Sequence, residues 1–285
     1  MTKRWGRWGA DDERGALNRI TPAVVARAAH CVQSGRALSL AVPLENGKGP
    51  IFAGRTPLQH FMTRHGGDYA AGLAERGFGF ADDYVLLATH GTTHIDALAH
   101  VWRDHQMWNG FSANEVTSRG ARRCGIEKAG PIVTRALVVD LDHGDLPERV
   151  ISVEVLRRAV EALDVVPEEG DALLVRTGWV RRWRQGIATV AEWSGLGSGC
   201  AEWIDEQGFA LVGADNIAVE SGPSPERLDA APLHVQLIRN CGIFLLELMD
   251  LDELAGTGRH AVMLVVAPMP LVGGVGSPVN PVAIL

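Results

Sequence analysis

Two spacings organise the apolar positions of this chain. Thr21 followed by Pro22 reads as an N-cap with proline at the first helical position, and the apolar stretch behind it closes near Gly35, which predicts a helix. A second helix starts at Ser152, because Val155, Leu156, Val160 and Leu163 recur every three to four residues and form one stripe opposite the arginines. Residues 232–241, opened by Pro232 and stopped by Gly242, predict a third. Short runs rich in Val, Leu and Ile at 38–42, 84–88, 136–141, 172–175, 210–212, 243–246 and 262–266 read as strands. Several are continuously apolar, as in a sheet covered on both faces. The expected fold class is therefore α/β, with a mixed, partly barrel-like sheet flanked by helices. Residues 268–281, rich in Gly and Pro and poor in charge, are expected to be an ordered, buried loop.

Composition sharpens this picture. With 46% hydrophobic residues, 33 glycines and 14 prolines in 285 residues, the chain can build a real core and is not of the disordered class. No Ser/Gly-rich or charge-rich linker divides it, so 1–285 is read as a single domain. The net charge of −7 is dispersed and no basic stripe appears, which argues against nucleic acid as a partner. Arg181, Arg182 and Arg184 around Trp183 are expected on a solvated helix face, with capture of a substrate carboxylate as the alternative. Cys31, Cys124, Cys200 and Cys241 form no CxxC pair, so neither a disulfide framework nor a thiolate zinc site is indicated, and a reducing compartment fits. The amino-terminal residues lack a signal-like apolar stretch and no run reaches membrane-spanning length. A soluble, cytoplasmic protein without a membrane partner is expected.

Candidate chemistry concentrates in His90-Gly91-Thr92-Thr93-His94-Ile95-Asp96-Ala97-Leu98-Ala99-His100. Two imidazoles and a carboxylate at His90, His94 and Asp96 supply N and O ligands suited to Zn²⁺ or Mn²⁺, and three protein ligands leave positions open for water. On a helix His94 and Asp96 would diverge, whereas in an extended segment His94, Asp96 and His100 share a face. The stretch is accordingly expected at a strand end or loop, with Gly91-Thr92-Thr93 turning His90 back onto the same ion. A lone histidine is more often a packing residue, but burying this many ionisable groups together without a cation would be costly. His30, His60, His65, His143 and His260 stand apart from any ligand spacing and read as surface or structural; His105 is ambiguous. Trp102 and Trp108 flank the segment and could wall a cyclic or aromatic substrate, or serve the core.

The same segment resembles the signature of the metal-dependent cyclase-like hydrolase family, which includes bacterial kynurenine formamidases and isatin hydrolases and is written H-x-G-T-H-x-D-x-P-x-H. His90, Thr93, His94, Asp96 and His100 match it, while Thr92 replaces the glycine and Leu98 the proline. Residues 8–18, 107–110, 213–220 and 276–281 look like the longer members. The resemblance implies a swivelling β/β/α-like fold and a second constellation of a histidine and a glutamate, matched by His234 and Glu247. It further implies a small-molecule substrate and a homo-oligomer, dimer or tetramer. The function expected is hydrolysis of an amide, lactam or lactone bond, with a metal-activated water, His100 shuttling the proton, and His234 and Glu247 as catalytic groups or further ligands. Two alternatives share the ligands: a two-His-one-carboxylate iron oxygenase, and a non-enzymatic fold with a structural metal.

Overall fold

The computed structural model describes residues 2–50, 54–68, 77–142, 149–222 and 231–285; of the histidines assigned above, His143 lies outside them. Among the described residues nine strands pair into one sheet: β1 (Ala37–Ser39), β2 (His94–Asp96), β3 (Ile132–Asp140), β4 (Ala172–Arg176), β5 (Leu211–Ala214), β6 (Phe244–Glu247), β7 (Ala261–Val266), β8 (Gly276–Pro278) and β9 (Val282–Ile284). Their spatial order is β1-β9-β7-β3-β4-β5-β6-β2-β8. β3, β4, β5 and β6 run parallel, and the flanking pairings on both sides are antiparallel. This is the mixed, curled sheet of an α/β fold.

The continuous apolar runs have the meaning expected of them. Every residue of β4, β5 and β6 is buried, because helices and loops cover both faces of the parallel centre. Helix α1 (Pro22–Ala29) packs on β3 and β7, and helix α2 (Val153–Glu161) packs on β3. Both begin as the sequence indicates: Thr21 Oγ1 accepts the Val24 N–H and Ser152 Oγ accepts the Val155 N–H.

Three expectations need correction. Helix α1 ends at Ala29 instead of near Gly35, because the Ser34 and Gly35 N–H groups donate to the carbonyl of the final residue, Leu285, and turn the chain into β1. The run at 84–88 is no core strand: among the described residues Asp82–Leu86 pairs only with Gln59–Arg64, in an outlying hairpin that leaves Tyr84, Val85 and Leu86 exposed. The arginine cluster does lie on a helix, α3 (Trp179–Arg184), but Arg182 is buried against Asp142, which also binds Arg181 and Arg176. Its charge is spent on an internal carboxylate, so the solvated-face reading holds only for part of the helix.

Short elements escaped the periodicity altogether. Helix α4 (Cys200–Glu206) is under two turns long, β8 forms inside the Gly/Pro-rich 268–281 segment, and β9 follows directly after it. Residues 268–281 are not the buried loop expected: Met269, Leu271 and Val272 are exposed, burial is confined to a few positions such as Gly273, Gly276 and Ser277, and Gly276–Pro278 is strand. Residues 232–241 form one α-helical turn, Pro232–His234, that widens into a π-helix, Val235–Cys241. No helix of the described residues is long and apolar enough to cross a membrane.

Candidate metal centre

Strand β2 is three residues long, yet it is wedged between β6 and β8. Its register sets His94 opposite Glu247 on one side, and Asp96 opposite Gly276 on the other. Facing positions of an antiparallel pair hold their side chains within reach of each other. Glu247 thus sits at the carboxyl end of parallel strand β6 with His94 beside it, Nε2 to Oε2 3.6 Å. Thr93 locks the entry to β2: its hydroxyl accepts the Val42 N–H at 2.9 Å and donates to the Leu248 carbonyl at 2.6 Å. The chain turns at Thr89–His90, one step earlier than the Gly91-Thr92-Thr93 turn expected, and bends through Gly91–Thr93, with His90 brought to the same carboxylate.

These pieces converge on Asp96, which is wholly buried. Its Oδ1 lies 3.3 Å from His94 Nε2, 3.4 Å from His90 Nε2 and 4.0 Å from His100 Nε2, and its Oδ2 lies 3.6 Å from His234 Nε2. His90 and His100 stack with ring centroids 4.2 Å apart. The structure therefore brings together all six residues singled out in the sequence: His90, His94, Asp96, His100, His234 and Glu247. His100 is the most open of them, with 23% of its side chain exposed, which places the solvent approach on its side.

Three atoms test whether a cation fits. Asp96 Oδ1, Asp96 Oδ2 and His94 Nε2 are buried and have no hydrogen-bond partner among the described residues. Unsatisfied polar atoms of this kind are rare inside proteins, and carboxylate oxygen with imidazole nitrogen is a donor set for a divalent ion. Among the described residues two groups have ligand atoms within 4.8 Å of one another: His90, Asp96 and His100, and His94, Asp96 and Glu247. The ring of His90 also occupies the space beside Gly276, where a Cβ would lie 2.4 Å from Nε2. The residues fit a divalent metal.

The second coordination of the imidazoles is fixed as well. His94 Nδ1 donates to the Thr92 carbonyl at 2.6 Å, leaving Nε2 directed at the carboxylates. The Glu247 and Asp96 carboxylates raise His94 above the ordinary imidazole value against the effect of burial. Burial dominates at His90, lowering it to about 3, and also lowers His100. His234 is raised well above the usual range by Glu220 and Glu247, although it is buried.

Glu220 is the residue that sequence reasoning missed. It is buried, and its carboxylate meets His234 Nδ1 at 2.5 Å. The only signal was its place at the end of the family-like 213–220 segment, where one acid follows a stretch of apolar residues. Of the two tryptophans, Trp108 is fully buried in the core, donates its indole N–H to Asp12 and packs 6.0 Å from Trp8. Trp102 is half exposed, two residues after His100. His60 and His260 pair with Asp83 and Asp164 at the surface.

The family model described as "Putative cyclase" matches residues 38–221. None of the curated proteins matches the chain. A crystal structure described as a novel cyclase is 36% identical, with all of both chains covered and a TM-score of 0.92. Isatin hydrolase A from Labrenzia aggregata, solved with benzyl benzoate, is 19% identical over 94% of this chain and 98% of its own, with a TM-score of 0.66. A predicted metal-dependent hydrolase from Bacillus stearothermophilus is 18% identical over 87% and 97%, with a TM-score of 0.56. At those identities the last two share the fold.

Proposed function

The chain belongs to the cyclase family, and from that premise we propose that it is a metal-dependent hydrolase opening an amide, lactam or lactone bond of a small cyclic or aryl substrate. The observation that carries the reading is the set of orphaned, buried ligand atoms on Asp96 and His94, ringed by further imidazoles and Glu247. His90, His94 and Asp96 would hold the ion, with Glu247 close enough to join them. A bound Zn²⁺ or Mn²⁺ supplies Lewis acidity at a carbonyl oxygen and lowers the pKa of water.

The protein's own groups do the rest. His100, lowered by burial and open on one side, is neutral near pH 7 and can take a proton from the attacking water, then deliver it to the departing nitrogen or oxygen. His234, its ring 6.4 Å from that of His100, faces Asp96 and Glu247 through Nε2 and can hold a proton there for the substrate. The opening beside His100 favours a catalytic over a closed structural metal.

Elemental analysis of the purified protein, joined to a hydrolysis screen over aryl formamides, isatin-like lactams, lactones and cyclic imides, tests this. Stoichiometric Zn or Mn with turnover of one class supports it. Activity that requires oxygen and ferrous iron would point to an oxygenase instead. Asp96 belongs to both donor groups, so the same analysis reads whether one ion or two are bound. The isatin hydrolase likeness supports the lactam arm of the screen. A homo-oligomer acting on a small molecule completes the proposal.

A further inference from the structure

Glu220 serves none of the roles assigned so far, yet the chain goes to unusual lengths to place it. Ala218 and Val219, just before it, both adopt left-handed backbone, with φ of 70° and 58°. For a β-branched valine that conformation is a true outlier, and such residues persist only where their surroundings impose them. Here they do. Trp193 donates its indole N–H to the Glu220 carbonyl at 2.9 Å, Asn216 Nδ2 reaches the Ser194 and Val219 carbonyls, and the Leu196 N–H donates to Val219 O at 3.0 Å. A Cβ on Gly195 would lie 2.3 Å from the Glu220 backbone. The far side is strained too: Ala231, three residues before His234, has φ 47°, and Leu248, next to Glu247, has φ 55°.

The strain delivers a carboxylate to the His234 imidazole. Glu220 Oε1 lies 2.5 Å from His234 Nδ1 and accepts the His234 backbone N–H at 3.3 Å; Oε2 accepts the Leu233 N–H at 3.3 Å. Those backbone donors belong to the first turn of the helix beginning at Pro232, where N–H groups have no partner within the helix. One side chain therefore anchors both the turn and the ring it carries. With Nδ1 facing Glu220, Nε2 is left facing Glu247 Oε1 at 3.1 Å and Asp96 Oδ2 at 3.6 Å.

We propose that Glu220 is a positioning residue for the reaction: it keeps a proton on His234 Nδ1 and so presents Nε2, in one tautomer and one orientation, to the metal-centre carboxylates and the substrate. A buried carboxylate on the distal nitrogen of a working histidine does this in other hydrolytic sites, where its loss leaves the ring in the wrong tautomer. The inference rests on the hydrolytic reading for its kinetic arm only. The Nδ1 proton never leaves its hydrogen bond; the exchangeable proton belongs to Nε2, and Glu220 balances the charge when both are present.

The test uses the zinc-loaded protein with ¹⁵N-labelled histidine, and the wild type, Glu220→Gln and Glu220→Ala. Long-range ¹⁵N–¹H correlation identifies the protonated nitrogen of His234, assigned by its loss in His234→Gln. The wild type is expected to show a protonated Nδ1; Glu220→Gln retains an acceptor and keeps it; Glu220→Ala shifts the proton to Nε2 or to a mixture. In kinetics, kcat should fall about 10²–10⁴-fold in Glu220→Ala and much less in Glu220→Gln, with KM within about threefold and metal content unchanged. An unaltered tautomer in Glu220→Ala, or a fall in metal content matching the fall in kcat, overturns the proposal. Should Glu220→Ala not fold, Glu220→Gln decides: a protonated Nδ1 with at most a modest fall in kcat at constant KM supports it, and a proton moved to Nε2 without any fall in kcat refutes it. Absence of hydrolysis in the wild type would sink the hydrolase reading while leaving the tautomer measurement intact.

Discussion

At the scale of single residues the centre is a balance of opposed protonation preferences. His94 and His234 are held above the ordinary imidazole value of 6.5 by neighbouring carboxylates, whereas His90 and His100 are pushed below it by burial. Below pH 6.5 the unfolded chain binds the protons that His90 and His100 refuse in the fold, so their contribution to stability is lost as pH falls. Above 6.5 the fold still binds protons on His94 and His234 that the unfolded chain has released, so that contribution is lost as pH rises through the folded values. The metal-free protein should therefore be most thermostable near pH 6.5 in a series of melting curves. Added Zn²⁺ should raise Tm, and raise it more as pH increases, because a cation replaces the protons between the same carboxylates. A flat profile, or a zinc effect that grows on acidification, contradicts the assignment. Gly276→Ala isolates one ligand: its Cβ would stand 2.4 Å from His90 Nε2, so metal affinity by competitive chelation should drop about 10–100-fold while the far-UV spectrum is retained. His94→Ala and Asp96→Ala should lose both the bound metal and any hydrolysis.

At the scale of elements, what holds the site is a set of close approaches that no periodicity announces. Gly242 ends the π-helix carrying on from His234, with φ 69°, and a Cβ there would lie 2.8 Å from Gly15 Cα and 3.0 Å from the Trp108 ring. Gly242→Ala should cost about 2–4 kcal/mol, from left-handed backbone and overpacking together, and lower Tm by several degrees; wild-type thermostability would show the contact to be slack. Legibility followed the same line. Core strands such as β4 and β6 were readable because burial on both faces leaves an unbroken apolar run, and α2 because its stripe repeats at helical spacing. The ligand segment was readable because chemistry dense enough to need a cation lies within eleven residues. Helix α4 and strands β8 and β9 were not, since elements of three to seven residues carry too few repeats to show a period. Glu220 was hidden for another reason: its partner is fourteen residues away, and the left-handed backbone at Ala218 and Val219 that aims it follows from tertiary clamping by Trp193 and Asn216, against local preference.

At the scale of the molecule, the hairpin of Gln59–Arg64 and Asp82–Leu86 is the feature the isolated chain explains least. A two-stranded hairpin is marginal in water on its own, and among the described residues this one pairs with no other strand. Phe61 faces Tyr84 across the ladder, and Phe61, Met62, Tyr84, Val85 and Leu86 are all about half exposed or more, a concentration of apolar surface that monomers rarely tolerate. Leu86 is also only four residues before His90, so whatever covers the hairpin lies along the chain leading into the metal centre. A second copy of the chain is the cover consistent with the proposed homo-oligomer: it would bury the same face on both subunits and add pairing partners to an otherwise lone ladder. Light scattering behind size-exclusion chromatography should give twice or four times the 30.6 kDa chain mass at micromolar concentration. Phe61→Glu combined with Leu86→Glu should reduce that mass to the monomer while zinc stoichiometry persists, because neither side chain touches the ligands. Loss of activity on dissociation would show that the partner shapes the approach to His100, and a wild-type protein that elutes as a monomer at every concentration would rule out this use of the hairpin.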